Sequence, residues 1–488
     1  RVLWLLLLFC YPVLPQEKAT WIGLTQQGKR LLREGYRADA EAAFLAAIDS
    51  AGHVGPRSLP VAKCLAVLGS LYYEDGRYAE SEIQLKRSVE ILDEIHSPED
   101  AEFGLVVNNL AVLYGAMGRT AEAERQCQRA IHLFENAGEA GRIQMTYALN
   151  TLGTIRQSQG QYKEAEDLFR GALKLVEASP RKDQLDAALV LDNLGALYCS
   201  LGRFGESEAS HRRALDLGEK ALPVGNRAIA RSLNYLAVTY LKAGNARQAE
   251  PLLQRAVVIN EKVLPSDHPD LARNRNNLAL AYLELGRSGE AEPLLRLALN
   301  SVDRVLGPMH PATMGILGNL GEVYERQERS NAAIFMLQRL LAVQEKVLAR
   351  DDIDIAVTLN RLGVRYQLVG RNSDAERSLR RSIEIVDSQS SKDFKRGLVS
   401  GLFYLADVYL KEKSYSKAGP VYERLLSVQD RDDPRRDGVL ENYATVLKKT
   451  KRNAEASRLR KEIKALREPQ APKSALPAEV ATHNDLKQ

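Results

Sequence analysis

Asparagine recurs at two adjacent positions of a phrase that the sequence repeats, as in "NNLAVLYGAMGRTAEAERQCQRAI" and "NRNNLALAYLELGRSGEAEPLLRLAL". With the leucine of "NNLA" as position zero, these asparagines stand at positions −2 and −1. They are Asn108, Asn109, Asn150, Asn193, Asn234, Asn276, Asn277, Asn319, Asn360 and Asn442. An asparagine amide carries both a hydrogen-bond donor and an acceptor, so a row of amides can hold the main chain of an extended peptide. The ten asparagines are therefore our candidate protein-binding residues.

A second interpretation of the same row stays open. Asparagine is a poor helix former, and these residues fall in the middle of predicted helices, where capping does not explain them. Each amide could instead bond to the neighbouring repeat and form an internal ladder. The two roles can also coexist at different repeats.

No motif for catalysis or for a cofactor accompanies the asparagines. The chain has no GxGxxG, P-loop, HExxH or GxSxG pattern. His268 and His310 hold equivalent positions directly before a proline, which is typical of a helix entrance. A metal site would need further ligands that the sequence does not supply. We therefore predict that the protein is not an enzyme and that it uses no cofactor and no metal ion.

The repeated phrase has a period of 42 residues. Position zero is a leucine in every unit from Leu68 to Leu362, and the series continues at Leu405 and Tyr443 and backward to Gln27, which gives eleven units. A fixed period in this range is typical of a solenoid, in which each unit covers the apolar face of the next.

Columns of like residues within the units predict a pair of closely packed helices. Gly or Ala stands at position +1, and Ala or Ser at position +13, in all eleven units. Positions −3, 0, +1 and +4 fall on one side of a helix. A glycine at position +8 in eight units ends the first helix. A tyrosine at position +4, also in eight units, is expected to fill the space toward the next unit.

The phrases "NNLAVLYGAMGRTAEAERQCQRAI" and "LPSDHPDLARNRNNLALAY" resemble tetratricopeptide repeats of the 42-residue type found in kinesin light chains and in many bacterial proteins. The resemblance extends over about residues 26–466. It implies an all-α fold, a right-handed α-solenoid of about eleven antiparallel helix pairs, whose first helices line a concave groove. The asparagines would then face into this groove, and the partner would be a protein or peptide segment.

The chain is expected to have three parts. Residues 1–17 form an apolar leader of the secretory type, residues 18–468 form the repeats with a closing helix, and residues 469–488 form a tail without periodic apolar residues. The leader predicts export to the periplasm or the cell exterior, with membrane association as an alternative. Because the heptad coiled coil of a kinesin light chain is missing, an exported bacterial relative is favoured over a motor subunit.

The charge pattern gives little information about partners. With 68 basic and 63 acidic residues the net charge is +5, which gives no argument for nucleic acid. Only the last helix is strongly basic, and it is either a solvated cap or a weak site for an anionic surface. Its basic residues are Lys448, Lys449, Lys451, Arg452, Arg458, Arg460, Lys461, Lys464 and Arg467.

The sequence as a whole favours a non-enzymatic scaffold that binds an extended protein segment in the groove. Two alternatives remain at this point. One is a membrane-surface assembly factor, and the other is an accessory subunit of a separately encoded enzyme.

Overall fold

The computed structural model of the protein describes residues 20–34, 36–95, 101–178, 184–389, 395–430 and 433–467. Over these ranges the chain forms 22 α-helices, one short 3-10 helix after α6 and no β-strand, which confirms the predicted all-α fold. The α-helices are α1 Trp21–Glu34, α2 Arg37–Gly52, α3 Leu59–Glu74, α4 Tyr78–Ile95, α5 Ala101–Ala116, α6 Thr120–Asn136, α7 Met145–Ser158, α8 Tyr162–Ala178, α9 Gln184–Ser200, α10 Phe204–Ala221, α11 Arg227–Lys242, α12 Ala246–Val263, α13 Pro269–Glu284, α14 Ser288–Val305, α15 Thr313–Arg326, α16 Ser330–Val347, α17 Ile353–Leu368, α18 Asn372–Ser388, α19 Lys395–Lys411, α20 Tyr415–Val428, α21 Arg436–Lys449 and α22 Asn453–Arg467.

The helices form eleven consecutive pairs, as the period predicts. Odd-numbered helices are the first helices of the repeats and even-numbered helices are the second. A short turn joins the two helices of a pair, so they pack against each other in opposite directions. The predicted leader and tail lie outside the described residues, so export stays a prediction. No helix in the described part of the chain is long and apolar enough to cross a membrane.

The chain divides into two compact units, Arg1–Pro308 and Met309–Gln488. The first unit contains α1–α14 and the second contains α15–α22. Within each unit, a helix packs against the helix before it and the helix after it, which is the nearest-neighbour packing of a solenoid. The 42-residue period continues unchanged across the boundary between Pro308 and Met309. The sequence therefore gave no sign of this boundary.

Close contact within a pair depends on the two columns of small residues. The hydroxyl of Ser81, at position +13, donates to the carbonyl oxygen of Gly69, at position +1, over 2.7 Å. A Cβ added at Gly153, another residue of the +1 column, would lie 2.6 Å from the ring of Phe169. The expected close approach of the two helices is thus confirmed, and the ring of Phe169 at position +17 leaves no room for a Cβ at Gly153.

The turn inside each pair has a left-handed residue at position +8 in the ten pairs where that residue is described; Gly35, at this position of the first pair, lies outside the described residues. Gly286 has φ of +76°, as expected for the residue that ends a helix. Three late repeats lack the glycine but keep the conformation, with φ of +57° at Glu328, +59° at Lys413 and +62° at Lys451. This conformation costs a residue with a Cβ about 1–2 kcal/mol, so the packing of the pair imposes it.

The tyrosine column faces the preceding repeat, so the expectation that it reaches toward the next unit is wrong. The hydroxyl of Tyr72, in α3, donates to the carboxylate of Glu41, in α2, over 2.8 Å. Arg77 covers the ring, with its guanidinium carbon 4.0 Å from the centroid, and pairs with Glu41 at 2.7 Å. The same arrangement recurs around Tyr198. Each first helix after α1 packs between two second helices, and position +4 lies on the side of the earlier one.

Candidate binding site on the first helices

Two pairs of the predicted asparagines are joined by hydrogen bonds between neighbouring repeats. Nδ2 of Asn193 donates to Oδ1 of Asn150 over 2.9 Å, and Nδ2 of Asn277 donates to Oδ1 of Asn234 over 3.0 Å. In both pairs a half-buried asparagine at −1 donates to a buried asparagine at −2 of the preceding repeat. These four amides therefore form inter-repeat bonds of the ladder type, while the two donors remain partly open to the surface.

The other candidates in the first unit differ in exposure. Asn109 is exposed, and its amide nitrogen lies 3.4 Å from the hydroxyl of Ser70. Asn108 is buried, and its Oδ1 has no hydrogen-bond partner among the described residues. Asn276 is half-buried and donates to Oδ1 of Asn277 over 3.3 Å.

The three candidates in the second unit lie apart from one another along the chain. Asn319 and Asn360 are half-buried, and Oδ1 of Asn360 has no partner within the described ranges. Asn442 makes a side-chain hydrogen bond with Tyr422. A role of the ten asparagines in partner binding stays a prediction.

In the first unit, the end of α3 meets the beginning of α13. The carbonyl oxygen of Glu74 accepts a hydrogen bond from Nε2 of His268, 194 residues further along the chain. Arg227, at the start of α11, lies 3.4 Å from the carboxylate of Glu74. Gly76 lies so close to Pro269 that an added Cβ would be 2.7 Å from the proline Cδ. We call these five residues the clasp. The clasp joins three first helices, α3, α11 and α13, across the repeats that lie between them. First helices therefore lie on the inner side of the series of repeats that the clasp closes.

The clasp depends on a neutral histidine. Nδ1 of His268 accepts from the backbone N–H of Asp270 over 2.9 Å and so caps α13. A neutral ring then carries its proton on Nε2, which is the atom that donates to Glu74. Burial lowers the pKa of His268 below its ordinary value, so the ring is neutral at pH 7. Burial alone would raise the pKa of Asp270, but the positive groups around it, Arg273 first, lower it to about 2.

A pocket of about 430 Å³ adjoins the clasp, and we call it the clasp pocket. The end of α3 and the first helices α9, α11 and α13 form most of its wall. It is lined by Tyr73, Glu74, Leu189, Asn193, Arg227, Ala228, Arg231, Tyr235, Asn260, Asp270, Arg273 and Asn274. Leu189, Arg231 and Arg273 share position −5, and Asn193 and Tyr235 share position −1. The pocket therefore lies on the side of the first helices that carries the −1 asparagines.

The charges of the clasp pocket are balanced. Asp270 pairs with Arg227 at 3.0 Å and with Arg273 at 2.6 Å. Nε of Arg231 lies 3.6 Å from the carboxylate of Asp192, which is fully buried. With Glu74 beside Arg227, the three guanidinium groups are matched by three carboxylates.

Three buried polar atoms at the clasp pocket lack hydrogen-bond partners among the described residues. They are Oδ1 of Asn260, Nδ2 of Asn274 and Nε of Arg231. The two asparagines are 3% and 2% exposed, respectively. A buried polar atom without a partner costs about 1–3 kcal/mol, and native proteins contain few of them. The fold therefore encloses these three atoms beside the clasp pocket without giving them a hydrogen bond.

Among the lining residues, the sequence prediction included only Asn193. Arg231 and Arg273 stand at position −5 of adjacent repeats, so a comparison of that column would have indicated them. Asn274 precedes the predicted asparagines by two residues in the same helix. Asn260 lies in a second helix, and no column of the sequence distinguishes it.

Two other predicted features have simple structural counterparts. The closing helix α22 buries Ala456 and Ile463 and exposes Arg458, Arg460 and Lys461. Its affinity for an anionic surface stays a prediction.

In the part of the chain that the structure describes, no group of three or more His, Cys, Asp or Glu side chains could hold a metal ion.

Comparison with known proteins gives a consistent result. Models of the tetratricopeptide repeat match residues 104–170, 144–220, 228–303, 276–346 and 312–388, and a second such model matches residues 61–102. No curated protein matches the chain by sequence.

Among solved structures, a putative kinesin light chain from Podosopora anserina with nearly identical tetratricopeptide-like repeats is 25% identical. That match covers 41% of this chain and 96% of the other, with a TM-score of 0.36. A Rap protein complexed with Competence and Sporulation Factor is 14% identical over 79% of this chain and 100% of the other, with a TM-score of 0.50. Because the repeat models match more than half of its length, the chain belongs to the tetratricopeptide repeat family.

Proposed function

We propose that the chain is a non-enzymatic scaffold that binds an extended protein segment along the inner side of its first helices. Tetratricopeptide repeats generally mediate interactions between proteins and are typically not catalytic. A Rap protein, whose fold this chain shares, has been solved as a complex with Competence and Sporulation Factor. Both facts support a binding role.

The observation that carries this proposal is the polar surface shared by three first helices of the first unit. The exposed or half-buried residues Asn193, Arg231 and Arg273 come from α9, α11 and α13 and lie at positions −1 and −5. The bond from Asn193 to Asn150 fixes the orientation of one amide, which lowers the entropy lost on binding. A surface of regularly spaced, oriented polar groups suits an extended main chain, whose own polar groups repeat along its length.

The experiment uses random ten-residue peptides displayed on phage and selected on the full-length protein. Peptides that bind are then tested by photo-crosslinking from residues placed on either helix of a pair. Asn109 and Thr154 are exposed on first helices, and Gln128 and Lys174 are exposed on second helices as matched controls. We expect a photoreactive residue to capture the peptide from the first two positions and not from the controls.

Two results would contradict the proposal. One is that no peptide is selected above the level of an unrelated helical protein. The other is that the selected peptides crosslink to Gln128 or Lys174 and not to Asn109 or Thr154.

A further inference from the structure

His268 holds the two sides of the clasp together through both nitrogens of its ring. Nδ1 accepts from the backbone N–H of Asp270 in its own helix, and Nε2 donates to the carbonyl oxygen of Glu74 at the end of α3. The residue is 3% exposed, so the ring is almost completely shielded from water. One neutral ring therefore supplies a helix cap and a contact between distant repeats at the same time.

A protonated ring cannot make both bonds. It carries a proton on each nitrogen, so its Nδ1–H would point at the backbone N–H of Asp270, 2.9 Å away. Turning the ring over gives no relief, because the other nitrogen is then a donor as well. Protonation of His268 thus removes the cap of α13 and leaves two buried donors facing each other.

Charged groups from four helices surround this ring. They are Arg37 in α2, Glu74 and Asp75 in α3, Arg227 in α11 and Asp270 in α13. Burial opposes a positive charge on His268 most strongly, the two arginines add to this effect, and Asp270 acts against it. The net result lowers the pKa of His268 while the clasp is closed, so the charged ring is unfavourable there.

Movement of the α3 end is the simplest way to bring water to a charged ring. The backbone fixes His268 at the start of α13, since its N–H donates to the carbonyl oxygen of Pro265 over 3.0 Å and its own carbonyl oxygen accepts from Ala272 over 3.1 Å. Outside the clasp, α3 and α13 share no extensive packed surface in the described ranges. The α3 end can therefore separate from α13 while the helix pairs on both sides stay intact.

We propose that the clasp is an acid-sensitive latch, in which protonation of His268 releases the end of α3 from α13 and opens the first unit without unfolding its helices. The latch is independent of the proposed scaffold function. Because the end of α3 forms part of the wall of the clasp pocket, release of this end opens that pocket too.

The coupling between protonation and opening sets the size of the effect. In the open state the ring has its ordinary pKa of about 6.5, and in the closed state burial lowers the pKa, so protons favour the open state. The open-to-closed ratio should therefore change little above about pH 6.5 and rise below it. At pH 5 the rise is at most about thirtyfold.

The experiment measures the distance across the clasp in the full chain at pH 7.5 and at pH 5. Spin labels are attached to cysteines introduced at Ala79 and Arg304, both exposed, with Cys10 changed to serine, and the distance is read by pulsed electron paramagnetic resonance. We expect a longer component that grows at pH 5 and disappears on return to pH 7.5. The helical signal in far-ultraviolet circular dichroism should be the same at both pH values.

Two variants of His268 separate the roles of its nitrogens, and neither new side chain titrates in this range. His268→Gln places an amide donor near the position of Nε2 and should stay closed at both pH values. His268→Asn keeps an acceptor for the cap but is too short to reach Glu74, so it should be open to the same extent at both pH values.

The matched control is His310→Asn. His310 also precedes a proline, and its Nδ1 accepts from the backbone N–H of Ala312 over 3.1 Å. Its Nε2 has no hydrogen-bond partner among the described residues. This variant should open at pH 5 as the parent does.

Three results would overturn the latch. The first is a distance distribution in the parent that does not change between pH 7.5 and pH 5. The second is a rise of the longer component in His268→Gln that equals the rise in the parent, since other groups, such as the carboxylates of α3, would then control the opening. The third is a loss of helical signal that accompanies the longer distances, because the acid would then unfold the repeats and not release the clasp.

Discussion

The clasp can be opened by one added methyl group, and the chain provides a matched control. Gly76 and Gly118 end the first helices of successive repeats with φ of +75° and +73°. A Cβ at Gly76 would lie 2.7 Å from Pro269, whereas a Cβ at Gly118 would meet no atom within 4 Å. We predict that Gly76→Ala opens the clasp and that Gly118→Ala does not.

The estimated energies indicate that the clasp opens and that the added Cβ is not accommodated by compression of its neighbours. Both changes place a Cβ in left-handed backbone and cost about 1–2 kcal/mol each. Only Gly76→Ala adds a steric clash, and overpacking of this kind costs about 1–3 kcal/mol. The polar contacts of the clasp are two hydrogen bonds to the carbonyl oxygen of Glu74, from His268 and from Arg227, each worth about 0.5–1.5 kcal/mol. They are joined by one partly exposed ion pair between Arg227 and Glu74, worth about 0–1 kcal/mol. Because the clash costs as much as these contacts supply, the α3 end separates from α13.

The assay is a distance measurement by pulsed electron paramagnetic resonance. Spin labels are attached to cysteines introduced at Ala79, in α4, and at Arg304, in α14, which are both exposed. Cys10 is changed to serine, and the three cysteines in the described residues are buried and free, so they react slowly.

We expect a narrow distance distribution in the parent and in Gly118→Ala, and a longer and broader one in Gly76→Ala. Gly118→Ala should lose only the stability that corresponds to the backbone strain, and Gly76→Ala should lose that amount together with the contribution of the opened clasp contacts. If Gly76→Ala gives the same distribution as Gly118→Ala, the clasp is not the weakest contact in this turn and the argument from its energies is wrong.

Three further predictions follow from the described contacts. Asn277→Ala should lower the free energy of unfolding by about 1–3 kcal/mol in urea denaturation, because Oδ1 of the buried Asn234 loses its donor. Asn109→Ala should change it by less than about 0.5 kcal/mol, and equal effects would contradict the ladder bond. Lys413→Gly should raise the free energy of unfolding by about 0.5–1 kcal/mol and with it the urea midpoint. Glycine relieves the left-handed strain, and this gain exceeds the loss that comes from the greater entropy of the unfolded chain. A lower midpoint would refute this. The lowered pKa of His268 means that its contribution to stability is fully present above about pH 6.5 and is lost as the pH falls below that value. Between pH 7.5 and 5 the parent should therefore lose more melting temperature than His268→Asn, and parallel curves would show that this ring does not titrate with unfolding.

The sequence was sufficient for the contacts that repeat. Every unit has a small residue at +1 and at +13, so the close contact between residues such as Ser81 and Gly69 could be predicted from the columns alone. The left-handed turn could also be anticipated, although Glu328 and Lys413 show that packing can impose it without glycine. The sequence analysis assigned the tyrosines at position +4 to the wrong neighbouring repeat. Recurrence of a residue at one position shows that the repeat uses it, but it does not show whether the side chain faces the preceding or the following repeat.

The clasp and its pocket could not be predicted in this way. His268 and Glu74 are 194 residues apart, and whether they meet depends on how small rotations between successive repeats accumulate. A difference of a few degrees per repeat, below what any residue column encodes, would separate them. Asn260 and Tyr73 line the pocket only because α3 and α13 meet. The asparagine bonds, in contrast, join adjacent repeats, so the 42-residue period was enough to suggest them.

The clasp also changes how the first unit should respond to a pulling force. A solenoid in which each helix pair contacts only its neighbours extends like a soft spring, since many small rotations share the strain. The bond between His268 and Glu74 joins the second repeat to the seventh, so tension between its two sides loads that bond first. The expected extension curve therefore begins with a stiff rise and one small rupture, and the gradual lengthening of the spring follows only after the clasp has broken.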